Sequence, residues 1–338
     1  MRIGLVGAGR IGTVHAATLG SLLEVDEAVV TDLDLGRATA LADEYGLAVA
    51  ADVDALLGSG LDGLVVAAPT PEHPGLLRRA AEAGIAVFCE KPLAPDVDDT
   101  RELTATLVSA GVPLQVGFQR RFDPGYQAAR DAVGSGELGW IHSVWACTYD
   151  QAPPHAAYIP TSGGIFRDCS VHDFDIVRWV TGREVVTVYA QGANRGAAFF
   201  AEAGDVDTGS AVLELDDGTQ VLLGATRYNG AGHDVRMEVH GSAGSVAVGL
   251  DDATPLRSAE AGVGWPGGTA YQHFTQRFAA GYRAELVAFC EVAAGRAPSP
   301  CSGEDALAAL LIANAAEESR RTRRRVTVDR TPSADVPA

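Results

Sequence analysis

Short apolar runs alternate with amphipathic stretches through the first third of the chain, and this alternation predicts the secondary structure. Strands are expected at 2–6, 26–31, 61–68, 85–89 and 113–117, the first four rich in Val, Ile, Leu, Ala or Phe. Helices are expected between them at 10–23, 35–45, 71–83 and 96–110, with Pro71 standing in a first turn. Strand–helix alternation with short glycine-bounded connections implies an α/β domain with a doubly wound parallel sheet covered on both faces. From about Trp140 the pattern changes. Strand-like runs at 141–149, 185–191, 210–215, 220–226, 235–240 and 245–248 follow one another with few helices between them. Asp217-Gly218 marks a hairpin, because this pair tolerates the positive φ that such turns need. The second half therefore reads as an α+β domain with a large open, mainly antiparallel sheet. Helices at 274–294 and 304–320 follow, the second with Ser302 and Asp305 as its capping pair, and 325–328 reads as a last strand. The domain boundary falls near 117–123, giving domains at 1–119 and 120–330. Residues 331–338 lack periodicity and read as a disordered tail.

Composition narrows the class. A chain of 338 residues suits two domains, and 47% hydrophobic residues supply an ample core, filled by Ala, Val and Leu because aromatics are only 7%. Net charge of −18 opposes binding to nucleic acid or an anionic membrane, so any phosphate must be held locally by backbone amides. No run of 18 apolar residues and no secretory signal is visible. The five cysteines are an odd number without C-x-x-C spacing, which suits reduced thiols in a cytoplasmic protein.

Gly7-Ala8-Gly9-Arg10-Ile11-Gly12 follows the first strand and opens the first helix, which matches the G-x-G-x-x-G dinucleotide fingerprint of a Rossmann domain. Gly7 permits the turn, Gly9 lets a pyrophosphate approach, and Gly12 lets helix and strand pack. Asp32 lies 20 residues beyond Gly12 at the end of the second strand. A carboxylate there accepts bonds from ribose hydroxyls and repels a 2′-phosphate, favouring NAD over NADP. Arg10, Ile11, Arg37, Ala68 and Glu90 are further candidate cofactor contacts. Thr70 and His73 either join them on the adenosine or nicotinamide side or serve as a capping Thr and a surface His.

Of 26 basic residues only one is a lysine, Lys91, in Cys89-Glu90-Lys91-Pro92 at the carboxyl end of the strand 85–89. Composition bias that removed lysine elsewhere is the plain alternative to a chemical role. A compact ammonium beside an alkoxide is something a guanidinium supplies poorly, and open α/β sheets keep their ligands at that edge. Lys91 also counts as a cofactor contact. The second dense cluster runs from Gly163 to Asp175. A helix is expected to begin near 168–170, which would place Asp168 and His172 on one face at i and i+4. An acid beside a histidine orients the ring and leaves one nitrogen free as a base. His172 would take a hydroxyl proton, Lys91 would steady the alkoxide, and Asp168 would tie the two cations together. Asp168, His172 and Asp173 complete no recognised metal-ligand set, so no metal is expected.

The glycine fingerprint, Glu90-Lys91-Pro92, Gly117-Phe118-Gln119-Arg120-Arg121-Phe122-Asp123 and the Gly163–Asp175 cluster, in this order, resemble the Gfo/Idh/MocA oxidoreductases over nearly the whole chain. Among its members the inositol dehydrogenases share the Asp-x-x-x-His pair and a late segment similar to Gln276-Arg277-Phe278…Tyr282. The resemblance implies Lys91, Asp168 and His172 as a catalytic trio, with Arg120 and Tyr282 as active-site contacts. It also implies a homodimer or homotetramer paired through the open sheet. Asp150, Gln151 and His155, in the stretch before the glycine pair, suit a hydroxyl-rich ligand or a solvated loop equally. The expected activity is NAD-dependent oxidation of a ring hydroxyl of a cyclitol or sugar to the ketone. A sugar oxidoreductase or glycosidase that retains its NAD(P), and a non-catalytic NAD-binding sensor, are the alternatives.

Overall fold

A computed structural model describes residues 1–329. The chain opens with β1 (Arg2–Val6), α1 (Arg10–Leu19), β2 (Glu27–Thr31), α2 (Leu35–Tyr45), β3 (Ala48–Val49) and α3 (Val53–Leu57). It continues through β4 (Gly63–Val66), α4 (His73–Ala83), β5 (Ala86–Glu90), α5 (Val97–Ser109) and β6 (Leu114–Gly117). Next come α6 (Pro124–Gly134), β7 (Ile141–Tyr149), α7 (Ile165–Asp168), α8 (Val171–Thr181), β8 (Val185–Ala193) and α9 (Phe199–Glu202). The remainder holds β9 (Thr208–Leu215), β10 (Gln220–Thr226), β11 (Asp234–Gly241), β12 (Ser245–Val248), α10 (Phe274–Arg277), α11 (Ala279–Ala293), α12 (Gly303–Thr322) and β13 (Val326–Thr327). The tail expected at 331–338 lies outside the described residues.

Most expected elements are present; α6 and α9 were not expected, and four further differences stand out. The short β3 and α3 carry too few residues for a periodic signal. Helix α1 stops at Leu19, not 23, because the Gly20 and Ser21 amides close the turn back onto Ala16 and Thr18. The helix expected across 274–294 is interrupted at Phe278. The helix expected from 168–170 is split, as described below. The capping pair at the start of α12 is present, the Asp305 carboxylate accepting from the Ser302 amide and hydroxyl, both at 2.9 Å.

Two compact units form. The first holds Met1–Asp123 with Phe278–Leu307, and the second holds Pro124–Arg277 with residues from Ala308 onward. A single cut after residue 119 leaves the returning segment with the second half; its contacts put it with the first. In the first unit six parallel strands take the order β3-β2-β1-β4-β5-β6, so the chain runs outward to β3 and then crosses over to β4. This reversal beside β1 opens a crevice at the carboxyl ends of the strands. Ile3, Leu5, Val30, Val65 and Phe88 are fully buried and pack with Leu286, Phe289 and Cys290 of α11. Gly63 must be glycine for that packing, since a Cβ there would stand 2.9 Å from the Phe289 ring.

The second unit carries a seven-stranded sheet in the order β12-β11-β7-β10-β9-β8-β13. Its neighbours are antiparallel except β7 and β10, which run parallel, so the sheet is mixed and mostly antiparallel. The expected hairpin joins β9 to β10, with Gly218 at φ +88°. Buried and exposed residues alternate along β9 and β10. The exposed side carries one apolar row across four strands, Trp145–Leu222–Val212–Tyr189, in direct register.

Candidate cofactor and catalytic site

The glycine loop is built for a close backbone approach. Gly7 has φ +107°, and a Cβ there would lie 2.6 Å from the Ala67 carbonyl oxygen. On α1, a Cβ at Gly12 would meet the Gly7 carbonyl oxygen at 2.0 Å. Gly9 differs from both: nothing among the described residues stands within 4 Å of its Cβ position, and no side chain caps α1. The open space at Gly9 lies at the N-terminus of α1, the positive end of a helix, which is the chemistry that holds a pyrophosphate. Asp32 follows β2. Its Oδ2 accepts the Ala8 amide at 2.7 Å and its Oδ1 the Asp34 amide at 2.8 Å. Each carboxylate oxygen retains a second lone pair for a ribose hydroxyl. Arg37 is exposed and pairs with Asp34 in the first turn of α2.

Ala68 and Thr70 are half-buried beyond β4. His73 is not the surface residue that one reading allowed. It is buried, with Nδ1 2.9 Å from the Pro92 carbonyl oxygen and Nε2 2.9 Å from that of Ala68. Burial lowers its pKa and favours the neutral ring, which donates to one of the two carbonyls at a time. The imidazole thus ties the chain after β4 to the chain after β5.

Glu90 closes β5 with its carboxylate turned inward. Oε1 meets His15 Nε2 at 2.8 Å, and Oε2 accepts the Lys91 amide at 3.2 Å. Lys91 is half-buried. Tyr282 of α11 is buried in the same unit, its ring 6.2 Å from that of His15. Burial, with the Glu90 carboxylate adding to it, pushes its phenol well above the ordinary value. Arg120, also buried, places its guanidinium 5.7 Å from the Phe278 ring centre.

In the second unit, Gly163 and Gly164 take φ of +78° and +93°, and Asp205 Oδ1 accepts the Ile165 amide at 3.0 Å to start α7. One helix was expected to carry both Asp168 and His172; the structure has two. Asp168 closes α7 and His172 is the second residue of α8. The Ser170 amide reaches back to the Ile165 carbonyl, a wide turn that offsets one helix from the next. The i, i+4 face argument therefore does not apply to this pair.

Asp168 is held from the opposite side. Its Oδ1 accepts the Tyr158 hydroxyl at 2.9 Å, and its Oδ2 accepts Arg227 Nη2 at 2.6 Å. Arg227 Nη1 donates to Asp150 Oδ2 at 3.0 Å, and His233 Nδ1 lies 3.4 Å from Asp150 Oδ1. Burial alone would raise the Asp150 carboxyl, but His233 and Arg227 outweigh it and leave the group below its ordinary value. Burial likewise works against the Arg227 charge, and the surrounding anionic groups reverse the balance and hold it charged. Tyr158 is pushed up by burial and by Asp168. Asp150, expected to face substrate, is thus engaged within the protein. Gln151 bonds Gln272, and His155 is exposed with its ring 6.4 Å from Tyr158. Asp173 is buried and accepts the Thr148 hydroxyl at 2.7 Å.

Arg227 belongs to no motif and was missed. A signal was present: Val221, Leu223 and Ala225 are buried at every second position, and the same period places 227 on the inward face.

Residues 1–118 match the oxidoreductase family with an NAD-binding Rossmann fold, and residues 126–247 match the GFO/IDH/MocA C-terminal domain. The chain belongs to the Gfo/Idh/MocA oxidoreductases. Its uncapped helix terminus, open Gly9 and Asp32 carboxylate fit NAD, the cofactor of this family enzyme. It is 40% identical to the myo-inositol dehydrogenase Hyg17 of Streptomyces leeuwenhoekii, over 94% of this chain and 97% of that one. Identity to the inositol 2-dehydrogenase of Rhizobium meliloti (strain 1021) is 36%, over 97% and 99% of the two chains. The scyllo-inositol dehydrogenase of Lactobacillus casei, solved with bound NAD(H) and scyllo-inositol, superposes with a TM-score of 0.87 at 28% identity, covering 97% and 99%. Among the described residues of this oxidoreductase, no helix is long and apolar enough to cross a membrane.

Proposed function

We propose that the protein oxidises a secondary ring hydroxyl of a cyclitol resembling myo-inositol to the ketone. The names of its relatives support the substrate class. The observation that carries the chemistry is the fixing of Asp168, paired with Arg227 and oriented by Tyr158, four residues before His172. His172 serves as general base for the hydroxyl proton. The Lys91 ammonium steadies the alkoxide oxygen, and the fixed Asp168 carboxylate favours the cationic form of His172. Bound NAD⁺ accepts the hydride. Arg120, Asp150, His155 and Tyr282 are the proposed substrate-side residues, with Asp150 acting through its pairing with Arg227.

The apolar row Trp145–Leu222–Val212–Tyr189 supports self-association into a homodimer or homotetramer, since such a row is the kind of surface that subunits cover. Five buried thiols without a disulfide suit a reducing cytoplasm.

The test is NADH formation across inositol isomers and pyranoses. A cyclitol is expected to be the best substrate, and no NADH with any of them would overturn the reading. Lys91→Arg is expected to lower turnover by about 100-fold with NAD binding retained, because the charge stays while shape and proton chemistry change. Full activity in that variant would remove the lysine from the mechanism.

A further inference from the structure

Three titratable groups meet inside the first unit beneath the end of β5. His15 of α1, Glu90 of β5 and Glu285 of α11 are all buried, and their nitrogen and oxygen atoms lie within 4.8 Å of one another. The two carboxyls are not equivalent. Glu90 has a hydrogen bond at each oxygen, to the His15 ring and to the Lys91 amide. Glu285 is fully buried, and neither of its oxygens has a hydrogen-bond partner among the described residues. Two carboxylates this close in a medium of low dielectric do not both ionise, and the charge settles on the group whose ionised form is hydrogen-bonded.

We propose that this buried trio holds one negative charge on Glu90, with the proton kept on Glu285, and that Glu90 is thereby the positioning residue for Lys91. The Lys91 amide is the first backbone donor beyond β5, and Glu90 Oε2 is its acceptor. Fixing that carboxylate against His15 fixes the backbone from which the single lysine side chain departs. Burial, reinforced by the Glu90 charge, raises the Glu285 carboxyl well above the ordinary range, in keeping with its neutral state. Tyr282, also of α11, feels the same cluster, and Arg10 of α1 and Arg120 of the Gln119–Phe122 turn partly offset its effect on the phenol. Glu285 then has a defined purpose. As a neutral acid it fills the space beside Glu90 without a second charge, which would push the Glu90 carboxylate away from His15.

A role for Lys91 in turnover rests on the function proposed above, so the test needs a readout apart from activity. The sequence supplies one: with a single lysine, protein grown on ¹⁵N-lysine gives one lysine amide cross-peak, that of Lys91. Glu90→Gln is expected to move this peak and to speed its amide exchange about tenfold, while lowering kcat more than it changes KM. Glu285→Gln, which keeps the shape of the neutral acid, is expected to leave both peak and kcat in place. Glu90→Asp, with its charge kept on a shorter arm, should recover part of the kcat lost in Glu90→Gln. NAD binding, followed by calorimetry, checks that each variant is folded. An unmoved peak in Glu90→Gln, or a Glu285→Gln variant as impaired as Glu90→Gln, would overturn the inference. A moved peak combined with full activity of Lys91→Arg would leave this inference standing and reject the catalytic role of the lysine instead.

Discussion

Arg227 Nη2 lies 2.6 Å from Asp168 Oδ2, and the other arm of the same guanidinium lies 3.0 Å from Asp150. The arginine is 3% exposed, so one buried cation fixes the acid before His172 and the acid at the end of β7 together. Removing it strands two largely buried carboxylates. Arg227→Met is expected to lose on the order of 3 kcal/mol in urea denaturation, together with most turnover. Arg227→Lys keeps the charge but cannot present the planar fork to both acids, so it should fall between the two. Wild-type stability in Arg227→Met would refute the clamp.

The same pair predicts a pH effect whose sign can be worked out. Asp150 has a folded pKa below its ordinary value, so it contributes stability that is present above about pH 4 and lost as the pH falls through the folded value. Without Arg227 that depression shrinks. The acid-unfolding midpoint of Arg227→Met, followed by circular dichroism, should therefore lie at higher pH than that of the wild type.

The three loop glycines should separate folding from cofactor binding. A Cβ at Gly12 collides with the Gly7 carbonyl, whereas among the described residues nothing beyond its chain neighbours stands within 4 Å of a Cβ at Gly9. Gly12→Ala is expected to lower Tm and NAD affinity together. Gly9→Ala should keep the wild-type Tm yet weaken NAD by roughly tenfold, because the space it fills is where the pyrophosphate approaches. Equal NAD affinity in Gly9→Ala and wild type would place the phosphates elsewhere.

Asp32 is expected to set cofactor choice. Asp32→Ala should weaken NAD and narrow its advantage over NADP, because the repulsion of a 2′-phosphate goes with the carboxylate. The measurement is the ratio of kcat/KM for the two cofactors; an unchanged ratio would mean that the ribose is read by another group.

The exposed row on the second sheet predicts assembly. Trp145 is 55% exposed and stands opposite Leu222. The wild type is expected to be an oligomer in light scattering, and Trp145→Glu combined with Leu222→Glu a monomer with little change in secondary structure. An unchanged mass would put the subunit interface on another surface.

Local features were legible because their causes are local. The strand runs, the glycine loop and the Ser302–Asp305 cap each lie within a few residues, where steric and hydrogen-bonding preferences act directly on the chain. The surface reading of His73 failed because sequence gives no sign that two carbonyls from separate connections close over a polar ring. The Asp168–His172 pairing was drawn on one helix because a wide turn at Ser170 leaves no mark in residue spacing.

From the amino-acid order alone come the two sheet types, the dinucleotide loop with Asp32, and the isolated Lys91 at a strand's carboxyl end. Tertiary structure decided that α11 belongs with the first sheet, that Arg227 holds Asp168, and that Glu90 faces His15 and Glu285 inside the protein. Periodicity says which side of a strand or helix is buried. Which distant residue shares that burial depends on how the layers pack, and the low dielectric there is what makes the shared charge decisive.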